Sequence, residues 1–235
     1  MSSALPDSEA VREFFNQWAF YRRIVDRNFL KHREAMTALS TWMDRTLTAP
    51  FSFLDLGCGD ASFTAGVLKG RPIARYGGVD LSPVALDLAR ENTRVLGVPA
   101  EFHCADFSDG PDGQWDVIYV GLSFHHIASP AAKSEFLTRV RAALPPGGHF
   151  VFFEPARRND ESRAEYMDRW MADVREHWTG LTADDVAAVE GHVTQYDFPE
   201  TVDAYRDLAL AAGFRGADVI FRDDQDFYAI VVLAA

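Results

Sequence analysis

Cysteine is scarce: Cys58 and Cys104 are the two in 235 residues. One sits in a glycine turn and the other in a run expected to be a buried strand, which excludes a disulfide framework and fits reduced thiols in the cytoplasm. No apolar run reaches the about 18 residues that would suggest a membrane span. The opening MSSALPDSEAVREFF has neither the basic nor the apolar region of an export signal, so the expectation is a soluble, unexported chain. Positive charge is also short. With 23 Lys and Arg against 35 Asp and Glu, the formal charge is -12, which repels phosphate backbones and disfavours nucleic acid partners.

What is present is enough apolar material, 48% of the chain with 13% aromatic, for one large α/β domain with a full core. Residues 1–47 read as a helical lid, rich in helix formers at three-to-four spacing, with Arg23, Arg27 and Lys31 as a basic stripe on a solvated face. Residues 48–155 alternate strands and helices: FSFLDL, RYGGVD, EFHCAD, DVIYVG and HFVFFE are strands. Ser82–Pro83 and Ser129–Pro130 open two of the intervening helices, each with a capping hydroxyl and a proline at the first position. Residues 156–197 form an acidic, Trp-bearing helical insertion. In 198–235, Pro199 opens a last helix, and ADVIFR and DFYAIVVLAA follow, separated by a connection short enough to require an antiparallel hairpin. The expected architecture is a single Rossmann-like domain with a seven-stranded, mostly parallel sheet, a terminal antiparallel hairpin, the helical N-terminal lid and the helical insertion after strand 5.

Asp55, Asp80 and Asp106 each close an apolar run, and their spacing of about 25 residues is one strand plus one crossover helix, so they should line the carboxyl edge of one sheet. The turn GCGDAS follows Asp55. Its glycines let a ligand approach the backbone, and the helix it opens should favour an anion there. Ser62 stands where a dinucleotide fingerprint wants a third glycine, and Asp55 would crowd a pyrophosphate. A ligand with a carboxylate, an ammonium and an adenosine fits better.

The segments FLDLGCGDASFT, GVDLSP, CADF, DVIYVGLSFHHI and LPPGGHFVFFEP resemble the class I S-adenosylmethionine-dependent methyltransferases of small-molecule type, in order, over about residues 50–155. The resemblance implies S-adenosylmethionine as cofactor and methyl transfer to an O, N or S atom of a small acceptor. It places Asp55, Gly57, Cys58 and Gly59 at the methionine end, Asp80 on the ribose, Leu81, Ala105, Asp106 and Phe107 around the adenine, and Gly121 and Leu122 along the cofactor. Tyr21, among Trp18 and Phe20 in the N-terminal helix, is read as a lid contact over the methyl donor. One departure is Ala61, where the family often has a third glycine; Ala61 is expected in the first helical turn. The alternatives are a methyltransferase of RNA or protein, another sulfonium chemistry, or a cofactor-binding regulatory subunit without turnover.

A sulfonium methyl is already electrophilic, so a base is needed only for a protonated acceptor. His125 and His126, after strand 4, are candidates for base or acceptor positioning, and Glu154 is a candidate to accept from a substrate donor. No metal site is expected, because adjacent histidines should point apart and no other ligand spacing is evident. Arg157, Arg158, Tyr166, Trp170 and Trp178 in the insertion suggest a planar or apolar acceptor pocket. Oligomeric state is not legible.

Overall fold

A computed structural model describes residues 18–235, with side chains from residue 22 onward. Expectations for residues 1–17, and for the Tyr21 side chain, fall outside the described part. Along the chain run α1 (Trp18–Asp26), α2 (His32–Thr46), β1 (Phe51–Leu56), α3 (Ser62–Leu68), β2 (Ile73–Asp80), α4 (Pro83–Asn92) and β3 (Ala100–Cys104). Then come β4 (Val117–Gly121), α5 (Pro130–Ala142), β5 (His149–Arg157), α6 (Arg163–His177), α7 (Ala183–Tyr196), β6 (Glu200–Thr201), α8 (Val202–Ala211), β7 (Ala217–Arg222) and β8 (Tyr228–Ala234).

Seven strands lie in the order β3-β2-β1-β4-β5-β8-β7. β1 to β5 are parallel, and β8 enters antiparallel between β5 and β7. The strand order reverses beside β1, between the β1 and β4 ends, which is where such sheets open a crevice for ligands. Both faces are covered, so the central strands are continuous apolar runs. Phe53, Tyr119, Val151, Phe153, Ile230 and Val232 enter one core, and Leu54, Ile118, Val120, Phe150, Phe152 and Val231 the other.

The Ser-Pro punctuation works as read. Ser82 Oγ accepts from Ala85 N (3.2 Å) and Ser129 Oγ from Ala132 N (3.1 Å). Four details differ from the sequence reading. The helical lid is broken by left-handed Asn28 and Lys31 (φ 61 and 58), so the basic stripe does not share one helix; Arg23 pairs with Asp185 at 2.9 Å and Arg27 donates to Thr179 O at 2.6 Å, both across to the insertion. β3 is an edge strand and Cys104 is exposed, not buried. Pro199 does not open the last helix: Glu200–Thr201 first pairs with Ala156–Arg157 as β6, and the Thr201 hydroxyl caps α8. Ala61 is not in the first turn of α3 but is its left-handed N-cap (φ 53), a conformation costing an L-residue about 1–2 kcal/mol.

Candidate functional site

At the β1 and β2 ends a cavity is lined by Asp55, Gly57, Cys58, Gly59, Asp80, Gly121 and Leu122, together with His32, Phe63, Tyr119 and Phe153. The turn that shapes it is backbone-determined. Gly57 has φ +70, and a Cβ on it would stand 2.6 Å from Ser123 Oγ, so no other residue fits there. Gly59 (φ +53) faces open space, leaving the backbone approachable. The Asp55 carboxylate is buried and accepts from Thr64 Oγ1 (2.6 Å) and Tyr76 OH (2.8 Å). Burial, only partly offset by those two bonds, pushes its pKa up to about 7. Asp80 accepts from Gly59 N through Oδ2 and from Ser82 N through Oδ1, each at 2.8 Å. Each oxygen keeps a second lone pair for a ligand hydroxyl. Burial, with Asp55 and Asp80 nearby, holds the Cys58 thiol neutral, its pKa raised well above the usual value.

The turn amides do not wait for an anion. Gly57 N and Cys58 N donate to Val79 O, Ala61 N to Cys58 O, and Ser62 N to Asp60 Oδ1. α3 has only seven residues. The expected amide cradle for a carboxylate is therefore absent among these groups; Arg22, outside the lining, stands 3.7 Å from Asp60, which is in the cavity wall. The residues expected around the adenine sit beyond this cavity's lining. Leu81, Ala105, Asp106 and Phe107 lie outside the lining: Asp106 accepts from Ser108 N (2.9 Å) to cap a short turn, and Phe107 packs edge-on to Phe136 in the core.

Leu122, itself left-handed (φ 51) and tied to Phe153 O at 2.7 Å, separates this cavity from a second one. The second cavity has aromatic and apolar walls, Tyr166, Met167, Trp170, Trp178 and Tyr228, and a polar floor of His125, His126, His192 and Asp197. Trp170 Nε1 donates to Tyr228 Oη (2.7 Å) and its ring meets Trp178 edge-on. Arg157 and Arg158 do not reach it; they pair with Glu200 and Asp226.

Glu154 is not a substrate-facing carboxylate. Fully buried, it accepts from the Ser123, Phe124 and His125 amides (2.9, 2.9 and 3.0 Å) and contacts His125 Nδ1 at 2.5 Å, pinning the β4 loop. Nor do the two histidines point apart. A tight helical turn at Phe124–His126 brings their rings to 4.1 Å, both buried. Burial alone would lower the His125 pKa, but the Asp197 and Glu154 charges on either side outweigh it and hold it at about 10. Burial and the neighbouring His125 charge depress His126 to about 3. His32, His192 and Asp197 were not legible as site residues: they come from the lid and the insertion, far away in sequence, and no motif spacing marks them.

Comparison with known proteins adds the following. Residues 54–150 match the family model described as "Methyltransferase domain". A carboxy-S-adenosyl-L-methionine synthase of Campylobacter curvus is 24% identical over 78% of this chain and 78% of its own length. In fold, the chain is similar to an S-adenosylmethionine-dependent methyltransferase from Clostridium acetobutylicum (TM-score 0.62, 13% identity, 94% of this chain and 98% of that one). It is also similar to human N-acetylserotonin methyltransferase in complex with its methyl donor (TM-score 0.57, 18% identity), of which it spans 51% while 85% of its own length is covered.

Proposed function

We propose that this chain, whose residues 54–150 match a methyltransferase domain model, is a class I S-adenosylmethionine-dependent methyltransferase and that it methylates a small, apolar or aromatic acceptor held in the Trp170 cavity. The observation that carries the reading is the adjacency of two cavities of opposite character, one acidic at the sheet edge and one aromatic, sharing Leu122. The donor's ribose sits on Asp80, its ammonium faces Asp55, and its carboxylate turns to Arg22. The methyl then points past Leu122, and alignment of donor and acceptor supplies most of the rate, as well-oriented reactions gain about 7–11 kcal/mol. Glu154 acts as a positioning residue, holding the loop between the cavities, and His126 and His192 face the acceptor.

The test is turnover of labelled donor over phenols, amines and thiols. Trp170→Ala should raise the acceptor KM about tenfold, the loss of a large aromatic contact, while donor affinity stays within twofold. Turnover confined to ribosomal RNA or protein would sink the reading. A carboxy-sulfonium product, the chemistry in the Campylobacter relative's name, is the second possibility. It would place an anion near the sulfur, where among the described residues no Lys or Arg lines either cavity but His125, held charged, lies in the floor of the second; the mass of the product separates the two.

The raised Asp55 pKa gives a sign-specific prediction. Its folded value, about 7, exceeds its unfolded value of about 4, so the folded state holds the extra proton and its contribution to stability falls as pH rises from about 4 to 7. A bound ammonium favours the carboxylate instead. Donor binding at pH 6.5 should thus release a proton, read as a binding enthalpy that changes with the ionisation heat of the buffer. No buffer dependence would place the ammonium elsewhere.

A further inference from the structure

Three imidazoles converge on one carboxylate oxygen in the floor of the aromatic cavity. Asp197 Oδ1 is buried and accepts no hydrogen bond, while His126 Nδ1 stands 3.4 Å, His125 Nε2 3.5 Å and His192 Nε2 3.7 Å from it. These separations are long for N–H···O bonds. The His126 and His125 separations approach the about 3.3 Å between donors that sit about 2.0–2.1 Å from a shared four-coordinate ion, and these two imidazoles and Asp197 bring one donor atom each within 4.8 Å of one another.

His125 is also prepared as a ligand. Its Nδ1 meets Glu154 Oε2 at 2.5 Å, which commits that nitrogen's proton to the carboxylate and leaves Nε2 to face Asp197. A carboxylate behind a histidine is the outer support typical of histidine metal sites. The backbone holds the two halves in register, since Phe198 N, beside Asp197, donates to His125 O at 2.8 Å. Charge points the same way: Glu154 and Asp197 are both buried, and among the described residues neither forms an ion pair with Lys or Arg. Two carboxylates and a dication make a neutral cluster.

We propose that His125, His126 and Asp197, with His192 beside Asp197 as a supporting contact, bind a divalent transition-metal ion of the zinc class, with its open side toward the Trp170 cavity. An imidazole-rich set with one carboxylate suits zinc, iron, nickel or cobalt over magnesium or calcium. His126 Nδ1 gives up its 3.1 Å contact with Tyr196 O on taking the ion. The proposal goes beyond methyl transfer and does not rest on it, because ion binding is read without turnover.

The experiment uses the full chain without an affinity tag, stripped by chelator and titrated with Co2+. One Co2+ per chain with the intense visible bands of low coordination, displaced by Zn2+, is the expected result. Asp197→Asn and His192→Gln should each weaken binding at least about tenfold, as loss of a ligand or its support does, and His177→Ala, at the exposed His177–Asp173 pair, should not. Circular dichroism confirms that each variant is folded; if Asp197→Asn is not, His192→Gln carries the comparison. A wild-type chain that retains no ion and shows no visible bands would overturn the proposal and leave a proton on His125 between its two carboxylates. Unchanged binding in Asp197→Asn and His192→Gln would overturn it too, by placing the ion elsewhere.

Discussion

Asp80→Ala should weaken binding of S-adenosylmethionine about a hundredfold or more. In the reading above this carboxylate takes two ribose hydroxyls, and each hydrogen bond to a charged group contributes about 1.5–3 kcal/mol. The same two oxygens hold Gly59 N and Ser82 N, so the substitution also loosens the glycine turn and the start of α4. Asp80→Asn retains one oxygen acceptor and the side-chain shape, so it should lose less donor affinity than the alanine variant. Its amide group must face either Gly59 N or Ser82 N, so it too should melt below the wild type. Calorimetry with the donor and with its demethylated product reads both, and equal affinity in Asp80→Ala would remove the ribose from this edge.

The second large effect is expected at Glu154. Its carboxylate answers three consecutive backbone amides and one imidazole in a dry interior. Glu154→Gln keeps the volume but turns one acceptor into a donor facing donors, and each buried amide left unsatisfied costs about 1–3 kcal/mol. A loss of about 2–4 kcal/mol follows, which in a domain of this size lowers Tm by about 5–15 °C. Because the pinned segment Leu122–His126 lies between the two cavities, kcat should fall further than donor affinity does. A Glu154→Gln variant that melts and turns over like the wild type would contradict the pinning role.

These two residues differ in how legible they were. Asp80 closes an apolar run at a recurring interval, and strand-end carboxylates in a parallel sheet announce a binding edge, so its place followed from spacing alone. Glu154 reads in the sequence as the end of strand 5, but β5 runs on to Arg157, so it lies within the strand. Its partners are the amides of the β4 loop and not a ligand: only the loop's path decides which a carboxylate there meets. The same limit explains the turn, whose N–H groups close on Val79, Asp80 and Asp60 in place of an anion. Ala61 shows it at the scale of one dihedral, since residue size does not reveal that position 61 is left-handed. The mostly parallel sheet and its terminal antiparallel hairpin were readable because apolar runs, helix caps and a short connection are local. His32, His192 and Asp197 were not, because burial and convergence are properties of the folded chain.

The central claim is that one adenosyl sulfonium lies across the β1 and β2 ends. A crystal structure with S-adenosylhomocysteine tests it most directly. The account predicts density in the cavity beside Gly57, with the ribose hydroxyls on Asp80, the amine toward Asp55 and the sulfur facing Leu122 and the Trp170 cavity. A ligand bound elsewhere, or an empty cavity at saturating ligand, would contradict it.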